Sequence, residues 1–72
     1  MYTKYTAKDL MKKARSVALL KSVKEYPTGK FKHLDHVIIV DEDGGGTCLR
    51  VKLERSYKGS NTKEVVYEDE YL

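Results

Sequence analysis

Residues 47–55 alternate between apolar and polar side chains, and this alternation limits the possible folds more than any other pattern in the sequence. The side chains expected on one face are Thr47, Leu49, Val51 and Leu53, and those on the other face are Cys48, Arg50, Lys52 and Glu54. A period of two with one apolar face is typical of a half-buried β-strand. The chain therefore needs a sheet that is covered on one side by another apolar element.

An amphipathic helix over about residues 6–24 is expected to provide that cover. Thr6 and Asp9 have the spacing of a capping box at a helix N-terminus. The apolar residues that follow recur at the spacing of one helix face, and they are Leu10, Met11, Ala14, Val17 and Ala18. Leu19 and Val23 break this pattern because they point toward the basic side of the helix. We expect either other structure or a partner to cover them.

Two further strands are expected, over about residues 34–41 and 63–68, on either side of the strand at 47–55. The first of them contains the β-branched run Val37–Val40. Glycine-containing turns separate the three strands. The predicted fold class is α+β, with an N-terminal amphipathic helix packed on a three-stranded antiparallel meander (α-β-β-β), in a single domain over residues 1–72.

The first strand of such a meander lies at an edge of the sheet, yet its sequence is apolar on both faces. An uncovered apolar edge promotes aggregation. We expect the cover to be residues 1–5, an identical subunit or a foreign protein. A homo-oligomer through the first strand is therefore predicted.

Size and composition exclude several classes of protein. A chain of 72 residues builds only a small core. Cys48 is its single cysteine, so neither an internal disulfide nor a Cys-rich zinc site is expected. The N-terminal residues have no apolar signal core, and no stretch reaches the roughly 18 apolar residues of a membrane span. We expect a cytoplasmic protein that contacts no membrane.

Catalytic and metal chemistry find little support in the sequence. In a regular strand, His33 and Asp35 point one way and His36 points the other, so the three side chains do not converge. Cys48 has no sequence feature that would place a base beside it. The acidic loop at 41–46 fails as a calcium loop because its twelfth position is Lys52. Neither an enzyme nor a metal site nor a cofactor is predicted.

The charge is divided between the two halves of the chain. Residues 1–33 contain nine Lys and Arg against two acids, a net +7, and residues 34–72 contain five against nine, a net −4. The basic half includes a candidate binding set of Lys8, Lys12, Lys13, Arg15, Lys24, Tyr26, Lys30, Phe31 and Lys32. Lysines neutralise phosphates and aromatic rings stack on bases, so this set suits nucleic acid as well as an acidic protein.

The acidic half contains a second candidate surface. Its residues are Glu64, Glu68, Asp69, Glu70 and Tyr71. Acids interspersed with aromatic residues fit a basic groove on another protein, or the basic helix of a second copy of this chain.

The order helix–strand–strand–strand resembles the first part of a double-stranded-RNA-binding domain in topology only. That family continues into a second helix that opens with a basic cluster, whereas residues 68–72 here read Glu-Asp-Glu-Tyr-Leu. The sequence therefore favours a small non-enzymatic regulator or inhibitor that binds another protein through charged surfaces, in the style of bacteriophage or mobile-element proteins. The alternative is a nucleic-acid-binding module that uses the basic helix and the loop after it.

Overall fold

One helix and three strands make up the fold, and the predicted α-β-β-β order is confirmed. The computed structural model of the chain describes residues 5–40 and 46–72. The elements are α1 (Ala7–Glu25), β1 (Gly29–Val40), β2 (Thr47–Tyr57) and β3 (Lys63–Tyr71). The strands form one antiparallel sheet in the order β1-β2-β3, so β1 is an edge strand. The first four residues, one proposed cover for that edge, and the acidic loop up to residue 45 lie outside the described residues.

The start of α1 confirms the capping box. Thr6 Oγ1 accepts a hydrogen bond from the Asp9 amide at 3.1 Å, and Asp9 Oδ2 accepts one from the Thr6 amide at 3.2 Å. These two bonds satisfy donors that a helix start otherwise leaves without intrahelical partners. The helix ends at Glu25 because Tyr26, which precedes a proline, is extended.

Strand β1 begins at Gly29, five residues earlier than the sequence indicated. Its first residues pair with the end of β2, from Gly29 opposite Tyr57 to Lys32 opposite Glu54. The approach at Gly29 is close: a Cβ there would lie 2.9 Å from the Ser56 carbonyl oxygen. The sequence of this segment did not indicate a strand because its residues are largely polar, and the segment joins the sheet by backbone pairing with β2.

A β-bulge at Leu34 changes which side chains share a face of β1. The register runs from His33 opposite Leu53 to Asp35 opposite Lys52, so Leu34 is the extra residue. Beyond it, His36 lies opposite Val51. A bulge inserts one residue into one strand and so reverses the alternation beyond it. The expectation that His33 and His36 point to opposite faces is therefore wrong.

The core lies between α1 and one face of the sheet, mainly over β1 and β2. The buried residues are Ala14, Val17 and Ala18 from the helix and Phe31, Leu49, Val51 and Leu53 from the sheet. The partly buried residues packed against them are Leu10, Ile38, Val66 and Leu72. Leu49, Val51 and Leu53 have no exposed surface, which confirms the alternation read from β2. The opposite face of the sheet is not covered by any described element.

Arg55 connects the helix to both neighbouring strands on the covered side of the sheet. Its guanidinium forms ion pairs with Glu25 at the end of α1 and with Glu64 on β3. It also lies 5.6 Å from the ring centre of Phe31 and 4.6 Å from that of Tyr57, within the range of cation–π attraction. This arrangement closes the end of the core nearest the helix C-terminus.

Candidate functional site

The C-terminal half of α1 exposes a contiguous apolar surface. Leu19, Leu20 and Val23 are 65%, 62% and 65% exposed, and Tyr26 just beyond the helix is 81% exposed. Residues three and four apart are neighbours on a helix surface, so Leu19 and Leu20 both border Val23. We call Leu19, Leu20, Val23 and Tyr26 the outer helix patch. A single exposed leucine is ordinary on a protein surface, whereas a contiguous group of exposed apolar side chains is less common.

The outer helix patch lies on the side of α1 away from the buried Ala14, Val17 and Ala18. The break in the apolar pattern at Leu19 and Val23 therefore reflects a second apolar surface on the helix. The members of the patch are largely exposed, which shows that no element within residues 5–40 and 46–72 covers it.

Basic side chains surround this patch. Arg15 precedes Leu19 by four residues, Lys12 continues the same side of the helix, and Lys24 follows Val23. Within the described parts of the chain, none of these three forms an ion pair. The same holds for Lys8, Lys30 and Lys32, while Lys13 Nζ lies 5.9 Å from the Tyr5 ring centre. The charges of Lys8, Lys12, Arg15 and Lys24 on the helix are therefore not neutralised by ion pairs within the described residues.

The acidic candidate residues are mostly held in ion pairs on two different faces. Glu64, Glu68 and Glu70 lie opposite Arg55, Val51 and Leu49 of β2, on the helix side of the sheet. Glu64 pairs with Arg55 and also accepts a hydrogen bond from the Tyr57 hydroxyl at 2.6 Å. Glu68 pairs with Lys21 at 3.3 Å. Asp69 and Tyr71 lie on the open face, so the five residues do not form one surface.

Asp69 makes the best-defined of these ion pairs. Arg50 Nε and Nη2 donate to its two carboxylate oxygens at 2.8 and 2.9 Å. These hydrogen bonds lower the pKa of Asp69 below its usual value, although partial desolvation opposes the effect. They also raise the pKa of Arg50. Two parallel bonds hold both side chains in a defined geometry, so the negative charge of Asp69 is largely neutralised within the chain.

The remaining members of the basic set fall into different environments. Phe31 is buried in the core, so its ring does not contribute to a surface. Lys30 and Lys32 lie on the open face of the sheet, opposite Ser56 and Glu54. Tyr26 and Lys30 border a cavity of about 310 Å³. The cavity is lined by Tyr26, Pro27, Gly29, Lys30, Ser56, Tyr57 and Lys58.

Tyr57 and Lys58 at this cavity were not anticipated from the sequence. They lie about thirty residues along the chain from Tyr26, and only the pairing of β1 with the end of β2 brings them there. No local sequence signal marks them, since the expected strand ended at residue 55.

Cys48 and the two histidines lie on opposite sides of the sheet. Cys48 precedes the buried Leu49 and so faces the open side, whereas His33 and His36 lie opposite the inward-facing Leu53 and Val51. A thiol and an imidazole separated in this way do not form a nucleophile–base pair. Within residues 5–40 and 46–72, no group of three or more His, Cys, Asp or Glu side chains is arranged to hold a metal ion.

No helix in the described ranges is both long and apolar enough to cross a membrane. On the edge strand, Val37 and Val40 are 54% and 56% exposed. The edge strand β1 therefore exposes apolar surface where an identical subunit is predicted to pair. This pairing stays a prediction.

Comparison of the sequence with models of protein families found no match, and comparisons with curated proteins and with solved structures found none either. The chain is a small α+β protein whose exposed apolar helix patch lies beside Lys12, Arg15 and Lys24, and none of these three forms an ion pair within the described residues.

Proposed function

We propose that this chain is a non-enzymatic regulator or inhibitor that binds another protein through the outer helix patch. The observation that supports this most directly is the exposure of Leu19, Leu20 and Val23 beside one another on α1. The partner would present an apolar groove bordered by acidic side chains. An amphipathic helix that places residues three and four apart into a groove is a recurring mode of protein recognition.

The aliphatic character of the patch favours a protein over a nucleic acid at this position. Burial of apolar surface contributes about 25 cal/mol per Å², and a phosphate backbone offers no apolar surface in return. Lys12, Arg15 and Lys24 around the patch would then accelerate and orient the encounter with an acidic partner. Their contribution is expected to fall with added salt, while that of the leucines is not.

A photo-crosslinking amino acid at Leu20 tests the proposal in cells of the source organism. The same residue placed at Ser60, in the exposed turn after β2, is the matched control. We expect a crosslinked protein at position 20 that is absent at position 60. Once identified and purified, that partner should lose at least tenfold in affinity for the Leu20→Glu variant, measured by calorimetry with the fold checked by circular dichroism. Equal crosslinking at both positions, or unchanged affinity, would contradict the proposal.

Nucleic-acid binding is the second candidate, and the exposure of Tyr26 favours it. Tyr26 is 81% exposed and shares its cavity with Lys30 and Lys58, so an aromatic ring lies beside two ammonium groups. Stacking on an exposed ring combined with phosphate neutralisation is the chemistry of single-strand binding.

Fluorescence anisotropy with single- and double-stranded DNA and RNA at about 50 and 200 mM salt separates the two candidates, because contacts to many phosphates weaken by orders of magnitude over that range. Binding that falls steeply with salt, and that is lost in Tyr26→Ala and in Lys30→Glu, would make nucleic acid the ligand. Absence of binding at the lower salt concentration would leave the protein-binding function.

A further inference from the structure

Two cavities adjoin each other at the turn between α1 and β1. The cavity between this turn and the end of β2 measures about 310 Å³. The other measures about 470 Å³, and Ser22 and Val23 of the helix contribute to its lining. Both are lined by Tyr26, Gly29 and Lys30. Pockets for small molecules usually measure about 300–1,000 Å³, so this end of the molecule has room for one small ligand.

The charge beside the first cavity is positive. Lys30 and Lys58 line it, and neither forms an ion pair in the described part of the chain. The described lining of the two cavities contains no Asp or Glu. Ser56 lies opposite Lys30, and the amide of Lys58 donates to the Thr28 carbonyl at 2.8 Å, so the strand pairing continues to Lys58. Lys30 and Lys58 are therefore diagonal neighbours across the strand pair, and such neighbours lie about 7–8 Å apart. Two ammonium groups on long, flexible side chains can reach one anion from this distance.

The two tyrosine rings at the first cavity are held differently. The Tyr57 hydroxyl donates to Glu64 at 2.6 Å, and the Arg55 guanidinium lies 4.6 Å from the centre of the Tyr57 ring, so this ring is a fixed wall. Tyr26 is 81% exposed. Gly29 also lines the cavity and carries no side chain, and a Cβ there would lie 4.0 Å from Tyr57 Cδ1. A planar ring can therefore enter the cavity and make an offset-stacked or edge-to-face contact with Tyr26.

We propose that this cavity binds a small aromatic phosphate monoester, with one ring and one phosphate group. The phosphate lies between Lys30 and Lys58 and accepts a hydrogen bond from the Ser56 hydroxyl, and the ring packs on Tyr26. A phosphate monoester carries about −1.5 to −2 charge at pH 7, which matches two ammonium groups, whereas a carboxylate carries only one charge. A volume of about 310 Å³ is near the lower end of the usual range for ligand pockets, which suits one ring and not several nucleotides.

This site does not rest on the proposed protein-binding function. Lys30, Ser56 and Lys58 lie outside the outer helix patch, and only Tyr26 belongs to both. The nucleic-acid candidate uses Tyr26, Lys30 and Lys58 as well, but it depends on contacts to several phosphates. A ligand with a single phosphate therefore separates this proposal from both candidate functions.

Phenyl phosphate is a small probe that contains both groups, and inorganic phosphate is the matched probe without a ring. Each is titrated into the full chain at about 0.15 M salt, where attraction between distant exposed charges is largely screened. Amide chemical shifts in two-dimensional NMR spectra report the binding. We expect saturable shifts at Gly29, Lys30, Ser56 and Lys58. Phenyl phosphate should bind about fivefold more tightly than inorganic phosphate, because its ring adds a stacking contact.

Three substitutions and one control locate the site. Lys30→Gln and Lys58→Gln should each weaken phenyl phosphate about tenfold, since each removes a hydrogen bond to a charged group. Tyr26→Ala should weaken phenyl phosphate and leave inorganic phosphate unchanged. Lys32→Gln is the control, because Lys32 is an exposed lysine of the same strand that lies outside the lining of both cavities. It should leave both affinities unchanged. Circular dichroism of each variant checks the fold.

Three results would overturn the proposal. The first is an equal loss of affinity in Lys32→Gln and in the two cavity variants, which would mean that only the overall charge matters. The second is equal affinity for phenyl phosphate and inorganic phosphate, which would leave Tyr26 without a role. The third is binding of a single-stranded oligonucleotide without binding of phenyl phosphate, which would support the nucleic-acid candidate instead.

Discussion

Ser22 on α1 forms hydrogen bonds with the backbone of Phe31 on β1 and so links the helix to the edge strand. The Phe31 amide donates to Ser22 Oγ at 2.8 Å, and Ser22 Oγ lies 3.1 Å from the Phe31 carbonyl oxygen and 2.8 Å from that of Ala18. One hydroxyl thus serves backbone groups of an edge strand that has no outer neighbour at this point. At Phe31, the edge of β1 is therefore covered by the helix of the chain itself.

Replacing Ser22 with alanine should destabilise the fold. The partly buried amide of Phe31 would lose its acceptor, and leaving such a group unsatisfied costs about 1–3 kcal/mol. Urea denaturation of the Ser22→Ala variant measures the loss. Ser16→Ala, at an exposed position of the same helix, is the control and should change the free energy of unfolding by less than about 0.5 kcal/mol. Equal effects of the two substitutions would contradict the role given to Ser22.

Gly29 is required by the close approach of β1 to β2. A Cβ at this position would lie 2.9 Å from the Ser56 carbonyl oxygen, and that oxygen belongs to the backbone, which yields less readily than a side chain. Gly29→Ala should therefore destabilise the fold by about 1–3 kcal/mol, the usual range for overpacking. Lys30→Ala, one residue further and exposed, is the matched control. If Gly29→Ala left the free energy of unfolding in urea unchanged, the two strands would have room to separate at this position.

The Arg50–Asp69 pair should make stability depend on pH in the acid range. Because the pKa of Asp69 is lower in the folded state, the contribution of the pair is complete above the unfolded pKa of about 3.9, and it is lost as pH falls through the folded value. Asp69→Asn should lower the urea midpoint slightly at pH 7, and this difference from the wild type should shrink as pH falls below about 3.9. Glu70→Gln, which removes an adjacent acid without an ion pair among the described residues, should show no such dependence. A difference between wild type and Asp69→Asn that stays constant as pH falls would contradict the role given to the Arg50–Asp69 pair.

The element order and the core of β2 could be predicted because they depend on local patterns. The capping box at Thr6 and the alternation at Leu49, Val51 and Leu53 need no knowledge of distant residues. The early start of β1 could not be predicted, since Gly29 joins the strand through backbone pairing with Tyr57.

The candidate surfaces were predictable only as far as they depend on local sequence patterns and not on pairing between distant strands. Leu19 and Val23 revealed a second apolar side of the helix through spacing alone. The neutralisation of Glu64 and Asp69 depends on the register of β3 against β2, which their acidic neighbours did not indicate. The bulge at Leu34 likewise has no signal in its own side chain, although it determines how His33 faces His36.

Self-association along β1 remains a prediction with a direct test. Light scattering at tens of micromolar should give the mass of a dimer, because Val37 and Val40 expose apolar surface on an edge strand. Val37→Lys should shift the mass to that of a monomer. Val65→Lys, at a similarly exposed valine on β3, should leave the dimer intact. A monomeric mass for the unaltered chain would rule out this assembly.

Truncation to alanine should affect stability strongly at Leu53 and little at Leu20, since Leu53 lies in the core and Leu20 lies in the outer helix patch. Leu53 has no exposed surface, so Leu53→Ala should cost about 2–5 kcal/mol of folding free energy and could unfold so small a domain. Leu20 is 62% exposed, and Leu20→Ala should change the unfolding free energy by less than about 0.5 kcal/mol. Urea denaturation of both variants decides between a surface and a structural role for Leu20. A large loss of stability in Leu20→Ala would mean that part of the chain covers the outer helix patch, and the patch would then not be available to a partner.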